Sequence, residues 1–90
     1  MDATQKHLGE VIKNLRLERQ QTQQVLADRS GLRRAHIGAI ERGEKDITVS
    51  TAKKLAEGLG VRLSAIFARV EALSHESGDR DAFKQDEDHS

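Results

Sequence analysis

The sequence has no cysteine, proline, tryptophan or tyrosine in its 90 residues. The lack of cysteine excludes a disulfide framework, a thiolate metal site and a cysteine nucleophile. The lack of proline, together with many Leu, Ala, Glu, Lys, Arg and Gln residues, favours helices over strands. Phe67 and Phe83 are the only aromatic residues, so the core has to be aliphatic. A chain of this length holds one modest core, and we predict a single all-α domain.

Long apolar runs are also missing, both for a membrane span and for a signal peptide at the N-terminus. We therefore predict a cytoplasmic protein with no membrane partner. His7, His36, His75 and His89 do not have the spacing of metal ligands, so no metal site is expected. No Ser/His/Asp arrangement, glycine-rich phosphate loop or paired carboxylates are present, which argues against an enzyme, a cofactor and a small-molecule substrate.

Charge of both signs is present, and the formal net charge of zero hides its uneven distribution. Residues 1–73 carry 13 Lys or Arg and 9 Asp or Glu, whereas residues 74–90 carry 2 and 6. A basic body suits a polyanionic partner, and an acidic tail stays solvated. We place one folded domain at residues 1–74 and a disordered acidic tail at residues 75–90.

Apolar spacing and punctuation predict five helices, over residues 3–19, 23–30, 32–42, 49–58 and from residue 63. The second and third are short and joined by a tight turn at Gly31, which is a helix-turn-helix pattern. Arg33 and Arg34 fall in the first turn of the third helix, where cations oppose the helix dipole and a capping residue is expected. Two arginines at this position would be suited to bind DNA phosphates or guanine edges.

A set of different short motifs lies at defined positions along the chain: Leu8-Gly9-Glu10, Leu15-Arg16, Thr22-Gln23, Leu26-Ala27, Gly31-Leu32, Ile40-Glu41-Arg42-Gly43, Leu59-Gly60-Val61 and Ile66-Phe67. Over residues 7–70 they resemble the lambda-repressor-like helix-turn-helix family. The compact single-domain form is similar to the controller proteins of restriction–modification systems. The resemblance implies a five-helix DNA-binding domain with the helix-turn-helix at helices 2 and 3.

The resemblance also implies a set of contacts with double-stranded DNA. Gln23 would touch a phosphate and support the third helix, and Arg34 would be the leading base reader, because a guanidinium can bond both acceptors of guanine. Arg16 and Glu41 would form a partly buried salt bridge that orients this helix. The residues expected along the DNA backbone on either side are Arg33, His36, Arg42, Lys45 and Ser50.

Three departures from the family pattern affect this expectation. Gln20-Gln21 stands where a glycine and an apolar residue are usual, and Arg33 replaces a serine or threonine. The middle exposed positions of the third helix are the small residues Ala35, Gly38 and Ala39. Small residues provide few hydrogen bonds, although they permit close approach to the groove and contact with thymine methyls. Specificity would then rest on few direct contacts together with DNA shape.

The last helix has an apolar stripe that is either core or, in part, a dimer interface: Leu63, Ile66, Phe67, Val70 and Leu73. A self-complementary homodimer suits an operator of two half-sites. The sequence therefore predicts a homodimeric transcriptional regulator, such as a repressor, that inserts its third helix into the major groove of a palindromic operator. The alternative is an antitoxin or adaptor of the same fold, which binds a toxin or another protein.

Overall fold

The computed structural model describes residues 3–77, which form five α-helices and no strand. The helices are α1 (Thr4–Glu18), α2 (Gln23–Ser30), α3 (Arg34–Glu41), α4 (Val49–Leu59) and α5 (Leu63–Ser77). The prediction of a compact all-α domain with five helices is confirmed.

The core is aliphatic because the apolar residues of each helix recur at helical spacing and turn to a common centre. In α1, Leu8, Val11, Ile12 and Leu15 are all buried. This helix packs against α3 and α5, while α2 packs against α3 and α4, so α3 is held by the two helices before it. The remaining core residues are Leu26, Ala27, Ile37, Ile40, Leu55, Ala56, Leu59, Ile66 and Val70.

Side-chain caps begin α2 and α4 but not α3. Thr22 accepts a hydrogen bond from the backbone N–H of Val25 at 3.1 Å, and Thr48 caps α4 in the same way. The N-cap of α3 is Arg33, which is extended and makes no capping bond. The predicted start of this helix at residue 32 was therefore wrong. Leu32 packs against the core from the turn, and Arg33 precedes the helix instead of lying in its first turn.

The glutamine pair after α1 has a structural role. Gln20 adopts a positive φ of 56°, which allows the chain to turn towards α2. The buried side chain of Gln21 donates to the carbonyl oxygen of Gly58 at 3.3 Å, so it ties the turn to α4. Its own Oε1 has no partner within the described residues. Both features cost stability, because a left-handed glutamine and a buried unpaired acceptor are unfavourable.

The C-terminal helix continues to Ser77, three residues beyond the predicted domain end at residue 74. The predicted acidic tail otherwise lies at residues 78–90, outside the described part of the chain. None of the described helices is both long enough and apolar enough to span a bilayer.

Candidate nucleic-acid interface

The N-terminal end of α3 is open and basic. Arg33 and Arg34 are exposed, and the first turn of the helix contains no acidic side chain. Because no side chain caps this end, the first backbone N–H groups remain available to an outside acceptor, and they carry the positive end of the helix dipole. Such an end is suited to an anionic group, and the two arginines add formal charge.

A groove of about 530 Å³ runs along one side of α3 from this end. It brings together five of the predicted contact residues, which are Arg33, Ala35, His36, Ala39 and Lys45. Arg33, Ala35 and Lys45 are exposed and His36 is half-buried. Ala39 was expected to be an exposed small residue, but only 8% of it is accessible, because it lies at the bottom of this groove. Ser50 is exposed in the first turn of α4 and does not line the groove.

A second layer of polar side chains covers Gly38 in the middle of α3. This glycine was also predicted to be exposed, and the structure buries it. A Cβ atom at this position would lie 3.1 Å from Nη1 of Arg42 and 3.8 Å from Nε2 of Gln23. A ligand approaching this part of α3 therefore meets the guanidinium and the amide, and the sequence pattern of small residues did not indicate this.

Arg42 is paired with Glu44, which lies between α3 and α4. Its Nε donates to one carboxylate oxygen at 2.9 Å and its Nη2 donates to the other at 3.2 Å. These hydrogen bonds raise the pKa of Arg42 and hold the pKa of Glu44 below its ordinary value, so Glu44 stays ionised at neutral pH. The ion pair is lost only as the pH falls through the lowered pKa of Glu44.

The predicted Arg16–Glu41 ion pair is present beneath this surface. Arg16 donates to both oxygens of Glu41, at 2.7 and 3.1 Å, and to the carbonyl oxygen of Gln21 at 2.8 Å. Gln23 donates to the same carboxylate at 3.0 Å. The side chains of Arg16 and Glu41 are only 9% and 5% exposed. Arg16 of α1 and Gln23 at the start of α2 thus both donate to one buried carboxylate of α3.

The predicted dimer stripe on α5 divides into three groups by exposure. Ile66 is fully buried and Val70 is 7% exposed, so both belong to the core and neither is available to a second copy. Leu63 and Leu73 are half-buried against the core. Phe67 is 43% exposed. The interface prediction was therefore too broad, because α1 and α4 already cover part of the stripe.

Within residues 3–77 no three His, Asp or Glu side chains come together as ligands for a metal ion. The surface around α3 presents guanidinium, ammonium, amide and imidazole groups, together with the carboxylate of Glu44 that is bonded to Arg42. The first four kinds of group offer hydrogen-bond donors to an anionic ligand.

The sequence matches a family model described as helix-turn-helix over residues 12–66. The control protein C.SmaI of Serratia marcescens is 35% identical over 71 residues, which are 79% of this chain and 83% of that protein. The immunity repressor protein of Bacillus phage phi105 is 33% identical over 72 residues, which are 80% of this chain. The aligned region spans only half the length of the phage repressor.

Solved structures with this fold include the restriction–modification controller protein C.Esp1396I, as a tetramer in complex with its natural 35 base-pair operator. Its TM-score is 0.75 at 30% identity, and the similarity covers 80% of this chain and 95% of that one. The resemblance seen in the sequence motifs is confirmed. The chain belongs to the lambda-repressor-like helix-turn-helix family.

Proposed function

We propose that this protein is a sequence-specific DNA-binding transcriptional regulator that inserts α3 into the major groove of a palindromic operator. The proposal rests on the exposed Arg33 and Arg34 at the uncapped N-terminal end of α3. They offer positive charge and directional hydrogen-bond donors at the start of the recognition helix of a helix-turn-helix. The controller protein of the same fold that is bound to its operator supports the proposal. The place of action is then the compartment that holds the DNA, which is the cytoplasm for a bacterial or phage regulator.

The proposed contacts divide by chemistry. Arg34 reads a guanine edge, whereas Arg33, His36, Lys45 and Ser50 position the protein against the sugar–phosphate backbone. Gln23 supports α3 through Glu41 and is close enough to the surface to reach a phosphate as well. The role is regulatory and not catalytic, in keeping with relatives named as a repressor and a control protein.

Selection of bound sequences from a random DNA pool tests this proposal directly. We expect a two-fold symmetric consensus whose half-sites lie about one helical turn apart, roughly 34–36 Å. The affinity should fall steeply with salt, because phosphate contacts release counterions. Co-purification of a second protein, with no retention of DNA at low salt, would instead indicate the antitoxin or adaptor alternative.

Replacing Arg34 with Ala should relax the preference for one base pair of the selected operator by about 1–3 kcal/mol, as expected for loss of a bidentate arginine–guanine contact. Binding of the variant is measured on the operator and on each single-base change of it. Arg62→Ala removes an equal charge from the exposed loop before α5 and serves as the control. An equal loss of affinity on every sequence would reduce Arg34 to a phosphate contact.

We further propose that the protein is a homodimer in which Phe67 is central to the interface. An aromatic ring that is 43% exposed on the outer face of α5 is costly in water, and a second copy would cover it. Phe67→Ser is expected to shift the solution mass from dimer to monomer and to weaken operator binding. Val25→Ser changes an exposed apolar residue on α2 and should leave the mass unchanged. A wild-type protein that is monomeric at high concentration would contradict this proposal.

A further inference from the structure

The end of α3 fixes the backbone around Arg42 and Glu44. Gly43 has a φ of 73°, its N–H donates to the carbonyl of Ile40 at 3.0 Å, and the N–H of Glu44 donates to that of Ala39 at 3.0 Å. These two bonds form a Schellman motif, in which the left-handed residue reverses the chain. The reversal brings the side chain of Glu44 back to Arg42, although residues two apart do not face each other in a continuous helix.

Glu44 is unusual at this position when α3 is compared with α2 and α4. Those helices end in the same way, with Leu32 and Val61 donating to the carbonyls of Ala27 and Ala56. Leu32 and Val61 both pack against the core, which is the apolar contact that normally accompanies this motif. At the end of α3 the corresponding residue is an exposed carboxylate. Glu44, whose carboxylate binds the Arg42 guanidinium, thus departs from the apolar preference of this position.

Stability does not explain the Arg42–Glu44 pair. The two side chains are 61% and 56% exposed, and an ion pair in water contributes little to the free energy of folding. Its effect is on position. Because Nε and one N–H of Nη2 are bonded to the carboxylate, Nη1 is directed back along α3 to a point over Gly38. Gly38 leaves room for the guanidinium there, since a Cβ would lie 3.1 Å from Nη1.

The guanidinium retains three N–H donors, of which one on Nη1 and one on Nη2 lie side by side along one edge. This edge can donate two parallel bonds to the N7 and O6 acceptors of guanine. The formal charges of Arg42 and Glu44 cancel, so the pair is attracted to phosphate less than a free arginine is. The directional donors are unaffected, and they are already ordered before binding, which lowers the entropic cost of contact.

Building on the proposed function, we propose that Arg42 is a second base-reading residue, directed at a guanine, and that Glu44 and Gly38 are the residues that position it. This differs from the backbone contact that the family resemblance implies for Arg42. The chain then reads two points of each half-site, with Arg34 near the start of α3 and Arg42 at its end. Ala35, the exposed small residue between them, allows the helix to lie close enough for both arginines to reach base edges.

The test measures binding of four proteins to the selected operator, to each of its single-base changes and to random DNA. The proteins are the wild type, Arg42→Lys, Glu44→Gln and Gly38→Ala. Arg42→Lys should lower the discrimination at one G·C base pair, distinct from that of Arg34, by about ten-fold, because an ammonium cannot make two parallel bonds. Gly38→Ala should lower discrimination at the same base pair while its thermal unfolding midpoint is retained or raised.

Glu44→Gln should bind random DNA more tightly but discriminate less at that base pair, because the guanidinium is free to reach phosphate. Glu57→Gln removes an equal charge near the far end of α4 and measures the purely electrostatic part of the change. In the DNA-free protein, the Nε–H resonance of Arg42 should exchange with water faster in Glu44→Gln than in the control.

The two proposals fail in different ways. A wild-type protein with no sequence preference would overturn the proposed function and this inference with it. A selected operator whose single-base discrimination is unchanged in all three variants would overturn only the inference. If the variants lose affinity equally on every sequence, the inference is also overturned. Arg42 is then a phosphate contact, and Glu44 acts on binding only through its negative charge.

Discussion

Replacing Glu41 with Ala is expected to lower the free energy of unfolding by about 3–5 kcal/mol, which is the usual cost of leaving one partner of a buried ion pair without the other. Arg16 would remain 9% exposed with only the carbonyl of Gln21 as its acceptor, and Gln23 would lose its bond as well. Urea denaturation of the wild type and the variant measures the difference. A domain of this size has a total stability of about 5–15 kcal/mol, so the loss is a large fraction of it.

The double variant Arg16→Met/Glu41→Met distinguishes two contributions to the free energy of unfolding. One is the penalty for a buried charge without a partner, and the other is the net stabilisation that the ion pair provides. Removing both charges should cost less than removing Glu41 alone, since apolar residues of similar volume often replace a buried pair without loss. The folded double variant should nevertheless bind the operator more weakly, because the pair orients α3 relative to α1. Equal stability of Glu41→Ala and the wild type would show that the network contributes little to folding.

Replacing Gly9 with Ala is expected to destabilise the domain by about 3 kcal/mol, at the upper end of the usual cost of overpacking. A Cβ at this position would collide with the backbone carbonyl of Ile40 and lie 2.8 Å from that of Glu41. Backbone atoms of a packed helix cannot move aside as a side chain can. The helices α1 and α3 would therefore separate, and the Arg16–Glu41 bonds that span them would lengthen. Thermal unfolding and operator affinity should both fall.

Gly38→Ala is the matched control for this prediction, since both changes add a Cβ within a helix. At Gly38 the new atom would be crowded only by the far end of the flexible Arg42 side chain at 3.1 Å, since Gln23 lies at an ordinary contact distance of 3.8 Å. The gain in helix propensity, about 1 kcal/mol, applies to both positions. The difference between the two variants therefore measures the close approach at Gly9. If Gly9→Ala is as stable as Gly38→Ala, the contact between α1 and α3 is not as tight as the structure indicates.

The sequence by itself determined the helices, because their signals are local. Thr22 and Thr48 cap α2 and α4, each directly before the first residue of its helix, and Gly31 ends α2 in the left-handed conformation. The apolar stripe of α1 is buried as its spacing indicated. The error at the start of α3 has a physical cause. Leu32 is apolar and packs against the core, but it does so from the turn, and periodicity alone does not distinguish these two cases.

The candidate site was only partly predictable for the same reason. The sequence identified Arg33, Arg34, Gln23 and the Arg16–Glu41 pair, since fixed spacing in a recognisable helix-turn-helix implies their places. It did not distinguish Phe67, which is exposed, from Ile66, which is in the core, because both are apolar neighbours on one helix. The packing of α1 and α4 against α5 decides which of them is covered.

The all-α class followed from the lack of proline and the abundance of helix-forming residues, and the helix-turn-helix from two short helices joined at Gly31, with two arginines at the start of the second. Only the tertiary structure decided what the middle of α3 presents. Gly38 and Ala39 look in the sequence like small exposed residues, but both are buried, and the side chains of Gln23 and Arg42 lie over Gly38. The position of Arg42 depends on a chain reversal at Gly43 that brings Glu44 to it. Such contacts arise from the path of the backbone, and helical spacing contains no record of them.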